Sequence, residues 1–238
     1  MKRSFFLLLT ALVGVFGLSS CETYIIEGNG IVQTEYRRMA YFNRIELYFP
    51  AGVILRQGPT KDIEITAESN LINYVRSRVS GNSLVLEDNG RLRSSNNVKI
   101  FIQVPDINAV YVSGSGRVIS DNKIFTNNMK LRLSGSGLID MALDVKNDLV
   151  TELSGSGLIY MEGDTYNGIY DVSGSGKIES FEMYADNSDI LLSGSGRCET
   201  TALKNLDVKI SGSGSVWFKG NPRISRSISG SGKIYDAN

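Results

Sequence analysis

The chain has 238 residues, with 25 Lys and Arg against 25 Asp and Glu and no histidine. That charge balance argues against a nucleic-acid partner, which would favour a basic face. The missing imidazole excludes Ser-His-Asp and Cys-His catalysis, His-containing zinc sites and the commonest general base.

Met1 to Cys21 reads as a secretory signal. Lys2 and Arg3 supply the positive start, and Phe5 to Leu18 form an apolar stretch too short for a comfortable membrane span. It ends in Leu18-Ser19-Ser20-Cys21, which resembles a bacterial lipobox; the resemblance implies cleavage before Cys21 and diacylation of its sulfur. Residues 1–20 are therefore expected to be a lipoprotein signal peptide, 21–27 a tether and 28–238 a single domain. A lipid on Cys21 would hold that domain in the cell envelope, at the outer membrane or cell surface. The only cysteines are Cys21 and Cys198. With Cys21 lipidated, Cys198 has no partner and no disulfide framework exists.

Residues 28–105 are strand-rich without an exact repeat. Arg44-Ile45-Glu46-Leu47-Tyr48-Phe49, Asp62-Ile63-Glu64-Ile65-Thr66 and Val98-Lys99-Ile100-Phe101-Ile102 alternate at period two, the pattern of strands with one buried face. Asn70 to Val79 reads as a short helix. The region fits irregular first rungs or a cap, because a stack of repeats needs its apolar end covered.

Residues 106–238 are repetitive. Ser-Gly-Ser-Gly starts at Ser113, Ser134, Ser154, Ser173, Ser193, Ser211 and Ser229, at spacings of 18 to 21 residues. The residue before each motif is Val112, Leu133, Leu153, Val172, Leu192, Ile210 or Ile228. The second residue after it is Val118, Ile139, Ile159, Ile178, Cys198, Val216 or Ile234. These columns alternate with polar residues, and Asn-rich turns such as Asn147-Asp148 and Asp186-Asn187 separate the units. A fixed period of about twenty residues with columns in register predicts an all-β fold, a single-stranded, right-handed β-solenoid with one rung per repeat. If the chain stays extended through the motif, both glycines point inward and both serines outward. Its open last rung is where a second copy would pair to form a homo-oligomer.

The layout resembles the putative auto-transporter adhesin, head GIN domain family, found in surface lipoproteins of Bacteroidetes-type bacteria. The residues that carry the resemblance are Gly28-Asn29-Gly30, Phe42-Asn43-Arg44-Ile45, Val53-Ile54-Leu55-Arg56-Gln57-Gly58, Gly81-Asn82-Ser83-Leu84, Val98 to Pro105, and the Gly-Ser-Gly rungs. The resemblance implies a β-helical surface protein without assigned catalytic residues.

Many β-helices are polysaccharide lyases or glycoside hydrolases, so a carboxylate pair is the enzymatic alternative. Glu179 and Glu199 fall three positions after their motifs and would be neighbours about 5 Å apart, near the retaining-glycosidase separation. Lys177 and Arg197 beside them favour a charge-compensated surface, so no catalytic residue is assigned. Trp217 and Tyr235 share that outward column and would stack as an aromatic platform for a sugar or a protein partner. Tyr160, in the same column, and Leu138 and Leu158, two residues upstream, complete the candidate contacts. The rungs lack the Asp of calcium-binding repeats, and Gly-Ser-Gly opens no helix, so neither a metal nor a dinucleotide cofactor is expected. The reading is a non-catalytic, lipid-anchored adhesin or interaction module that binds glycan or protein.

Overall fold

In the computed structural model, which describes residues 25–89, 91–93 and 98–238, the chain winds as an all-β solenoid of about six turns. The expected signal peptide and Cys21 lie outside the described residues. Ile25–Glu27, within the expected tether, form a strand that pairs parallel with Arg91–Arg93.

Each regular turn has three faces. The strand Leu138–Gly155 runs through all three, and three separate strands of the preceding turn stack on it in parallel. Arg117–Ser120 pair at Leu138, Ile124–Thr126 at Leu143 and Met129–Gly135 at Leu149. The inward columns read from the sequence stack as expected. Val112, Leu133, Leu153, Val172, Leu192, Ile210 and Ile228 are register partners in succession. The first six of these are at most 2% exposed. Each burial removes a Val, Leu or Ile side chain from water, about 1.5–3 kcal/mol apiece, so the column supplies much of the cohesion between turns.

The motif itself is not extended. Strands end at its first glycine and restart just after its second, so Ser-Gly-Ser-Gly forms the corner between the first and second faces. In every motif but the last only the second glycine is buried; Gly157 is enclosed while Gly155 is half-buried between exposed Ser154 and Ser156. The expectation of two inward glycines is therefore corrected. At the first glycine φ is positive, +112° at Gly155, a region that side chains rarely occupy. The close approach that excludes a side chain is to the same glycine one turn below. A Cβ on Gly155 would lie 2.6 Å from the carbonyl oxygen of Gly135. Through the corner the ladder continues: Ser156 N–H donates to Gly135 O at 2.9 Å and Ser175 N–H to Gly155 O at 2.9 Å.

The Asn turns form a second ladder. Asn205 Nδ2 donates to Asn187 Oδ1 (2.7 Å), Asn187 Nδ2 to Asn167 Oδ1 (3.0 Å), and Asn167 Nδ2 to Asp148 Oδ1 (2.8 Å). All three bonds point the same way and end on a carboxylate, so each amide dipole reinforces the next.

Residues 28–105 extend two faces and then close them. The strand Arg44–Leu47 continues the first face and Gly52–Gln57 the second, both parallel to the first regular turn. Beyond them, antiparallel strands take over. Ile63–Glu68 pair with Lys99–Val104 and with Val32–Arg37, and Val75–Ser80 pair with Ser83–Asp88. The expected helix over 70–79 is instead a single 3-10 turn, Ile72–Tyr74, followed directly by the strand Val75–Ser80. Leu71, Ile72 and Val75 are buried beneath this end. At the other end, all eight residues of Arg223–Gly230 are exposed.

Candidate functional site: the outward column of the second face

Three positions after each motif, alternation turns the side chain outward. Register confirms one continuous column there, running Phe101, Ile54, Ile119, Asp140, Tyr160 and then Glu179. Towards the last turn Glu199 pairs with Trp217 and Trp217 with Tyr235. The column therefore begins and ends in apolar or aromatic side chains and carries carboxylates in the middle.

At the last turns, Trp217 and Tyr235 stack with ring centroids 4.3 Å apart and planes 22° apart. Two features that the sequence did not reveal complete the arrangement. Arg197, from the turn below, lies over the indole with its Cζ 4.6 Å from the ring centroid. Glu199 Oε1 holds that guanidinium at 2.5 Å, and Trp217 Nε1 donates to Ser215 Oγ at 3.3 Å. Arg197 and Tyr235 come from the turns on either side of Trp217, so both indole faces are occupied. The free aromatic face belongs to Tyr235, and Trp217 is the rigid backing behind it. Such a stack is held before any ligand arrives, which lowers the ordering cost of binding.

Leu138 and Leu158 are direct register partners, and Asp140 and Tyr160 are the next outward pair on the same strands. These four half-buried side chains form one patch. Burial raises the pKa of Asp140 above the usual carboxylate value. Burial also raises the Tyr160 phenol, with Glu162, Glu182, Asp140 and Glu179 adding to the effect. The patch is separated from the Trp217–Tyr235 stack by the turns carrying Glu179 and Glu199. The column thus brings the sequence-predicted contacts into two groups, Leu138/Leu158/Tyr160 and Trp217/Tyr235, about 14 Å apart at ~4.8 Å per turn.

Beneath this face, Cys198 is fully buried and burial pushes its thiol well above the ordinary range. Of the two carboxylates considered for catalysis, Glu199 is committed to Arg197. Glu179 and Glu199 belong to neighbouring turns, since Lys177 and Ile178 pair with Arg197 and Cys198.

Comparison with known proteins places this architecture. The signature of the family described as putative auto-transporter adhesin, head GIN domain, matches residues 41–222. Among solved structures, a putative adhesin from Bacteroides fragilis is similar with a TM-score of 0.81 at 25% identity. It covers 89% of this chain and 99% of its own. A putative lipid-binding protein from Parabacteroides distasonis is similar with a TM-score of 0.73 at 25% identity, over 90% of this chain and 100% of its own. A putative adhesin from Parabacteroides merdae shares the fold, with a TM-score of 0.70 at 21% identity, over 90% of this chain and 99% of its own. No curated protein matches the chain in sequence.

Proposed function

The chain belongs to the putative auto-transporter adhesin, head GIN domain family, and from that premise we propose that it is a non-catalytic, surface-exposed interaction module whose outward column contacts a glycan or protein ligand. The observation that carries the reading is the Arg197–Trp217–Tyr235 stack, an ordered aromatic end presented to solvent by adjacent turns. Tyr235 offers the free ring, Trp217 and Arg197 support it, and Leu138, Leu158 and Tyr160 form a second contact along the same stiff face. Two contacts on one rigid rod add by effective concentration when one partner spans both. The direct test is binding of Tyr235→Ala and Trp217→Ala variants on glycan arrays and in pull-downs. A loss of about tenfold or more with unchanged melting supports the reading, and wild-type binding by both variants rejects it.

The same proposal includes the membrane address. Residues 1–20 are removed, residues 21–24 with the strand Ile25–Glu27 connect anchor to solenoid, and a lipid on Cys21 holds the protein at the outer membrane or cell surface. Metabolic labelling with a fatty-acid probe decides this: label must vanish in Cys21→Ser, and full label there contradicts anchoring. Self-association uses the last turn, where the inward-parity residues Ile224 and Ile228 are 46% and 41% exposed. A monomer by sedimentation at all accessible concentrations would remove that element. The lyase or glycosidase alternative gains no support from Glu199, whose oxygen is engaged by Arg197. Glycan cleavage by wild type that is lost in Glu179→Gln or Glu199→Gln would reinstate it.

A further inference from the structure

A cavity of about 620 Å³ opens at the seam where residues 28–105 meet the first regular turns. Its size falls within the ~300–1,000 Å³ of small-ligand sites. Its walls come from three stretches far apart in sequence: Asn43, Asp106 to Asn108, and Phe125 to Asn128, with Asp144 and Lys146 from the next turn. We propose that this seam cleft is a second binding site, specific for neutral saccharides.

Four features carry the assignment. The first is the aromatic wall. Phe125 is 59% exposed, and its ring can lie against the C–H face of a pyranose. The second is rigidity. Gln57 clamps the backbone of that residue at both ends, since Phe125 N–H donates to Gln57 Oε1 (2.8 Å) and Gln57 Nε2 donates to Phe125 O (3.0 Å). Asn122 Nδ2 donates to Gln57 O (3.0 Å) and Asn122 Oδ1 accepts from Gln57 N–H (2.9 Å), so the clamp is itself held. An exposed ring on a backbone this constrained is pre-organised for contact.

The third feature is the polar inventory. Asn108, Asn127 and Asn128 bring amides that donate and accept, and Asp106 and Asp144 only accept. Asp106 Oδ2 already accepts from the Tyr41 hydroxyl (2.8 Å) and Asn128 Oδ1 from Asp148 N–H (3.4 Å). A sugar hydroxyl both donates and accepts, so it pairs with such a mixture. The two carboxylates against one Lys146 disfavour phosphate, uronate and sialate. The fourth feature is an orphan. Asn43 is one of the lining residues, and its buried Oδ1 accepts no hydrogen bond among the described residues. Buried polar atoms are nearly always satisfied, so turning the Asn43 amide towards the cleft would gain this oxygen a donor from a bound hydroxyl. The site is distinct from the Tyr235 stack and carries its own binding, although it shares with that reading the view that the protein contacts glycans.

The test is binding of the full-length protein to surfaces displaying terminal glucose, galactose, mannose or N-acetylglucosamine, beside surfaces displaying glucuronic or sialic acid. Wild type is expected to bind at least one neutral surface. Phe125→Ala and Asn108→Ala should each weaken that binding about tenfold or more without changing the melting temperature. Phe125→Tyr, which keeps the ring, should retain it, and Tyr235→Ala should leave the neutral-sugar signal from the seam in place. Retention on acidic surfaces alone, binding by Phe125→Ala equal to wild type, or a loss confined to Tyr235→Ala would overturn the seam assignment. The last of these would still support the outer column.

Discussion

Residues 106–238 climb by parallel strands that repeat one corner, whereas residues 28–105 reuse two of the same faces and then turn antiparallel. In the regular part every turn meets a copy of itself, so glycine stacks on glycine and asparagine on asparagine. At the irregular end the first motif meets something else. Among the described residues nothing lies within 4 Å of a Cβ built on Gly114, and one on Gly116 would strike the Leu47 side chain and the Phe49 carbonyl. The two regions have different tasks. Stacked repeats provide length and stiffness but leave an edge, and antiparallel strands end the growth. The turns differ from one another on the outward column and at the seam, where Trp217 and Tyr235 are half-buried and Phe125 is exposed.

The difference can be tested at its sharpest point, the first glycine of the motif. Both Gly155 and Gly114 have positive φ, +112° and +94°. Gly114→Ala should cost only the backbone strain, about 1–3 kcal/mol. Gly155→Ala adds a clash with the backbone of the turn below, so its cost should exceed ~3 kcal/mol and split the stack. Urea unfolding of the two variants measures this, and equal losses would mean that stacking adds nothing to the corner.

A smaller effect is expected from the Asn ladder. Asn187→Leu removes two side-chain bonds in the middle of the chain of amides and should cost about 1–3 kcal/mol. Asn205→Leu, at the end, removes one and should cost roughly half as much. Equal costs would argue against a cooperative ladder. The buried thiol gives a kinetic readout. In a Cys21→Ser background, Cys198 should resist iodoacetamide in the folded protein and react only as the central turns open. Rapid labelling without denaturant would contradict its burial.

The smallest effect concerns pH. Because burial raises the Asp140 pKa, its protonated form is favoured on folding. Its contribution is therefore fully present below the ordinary value of 3.8 and is lost as pH rises through the raised value. Asp140→Asn should match wild type at the acid end and melt slightly higher at neutral pH. A variant that melts lower at neutral pH would reverse the sign.

Much of the frame was legible in the sequence because repetition makes period and parity visible. The inward columns, the outward column and the Trp217–Tyr235 pair follow from counting positions. The corner was only half legible: alternation implies parity while a strand continues, but Ser-Gly-Ser-Gly bends, and the bend re-aims the first glycine. The occupied faces of Trp217 were hidden because Arg197 reaches it diagonally across turns, which depends on side-chain direction and not on register. Residues 70–79 misread as a helix since a single turn at Ile72–Tyr74 hands over directly to a strand. The seam was illegible because Asn43, Asp106 and Phe125 share no repeat and meet only when the cap is placed.

Trp217 is the only tryptophan in the chain, so its emission reports directly on the outward column. The most direct measurement is acrylamide quenching of that emission, with and without a glycan or protein shown by calorimetry to bind. Binding through the column predicts a saturable shift in emission and reduced quenching, both lost in Tyr235→Ala. Calorimetric binding that Phe125→Ala retains in full, and that leaves Trp217 emission and its quenching unchanged, would contradict the claim that this column meets a ligand.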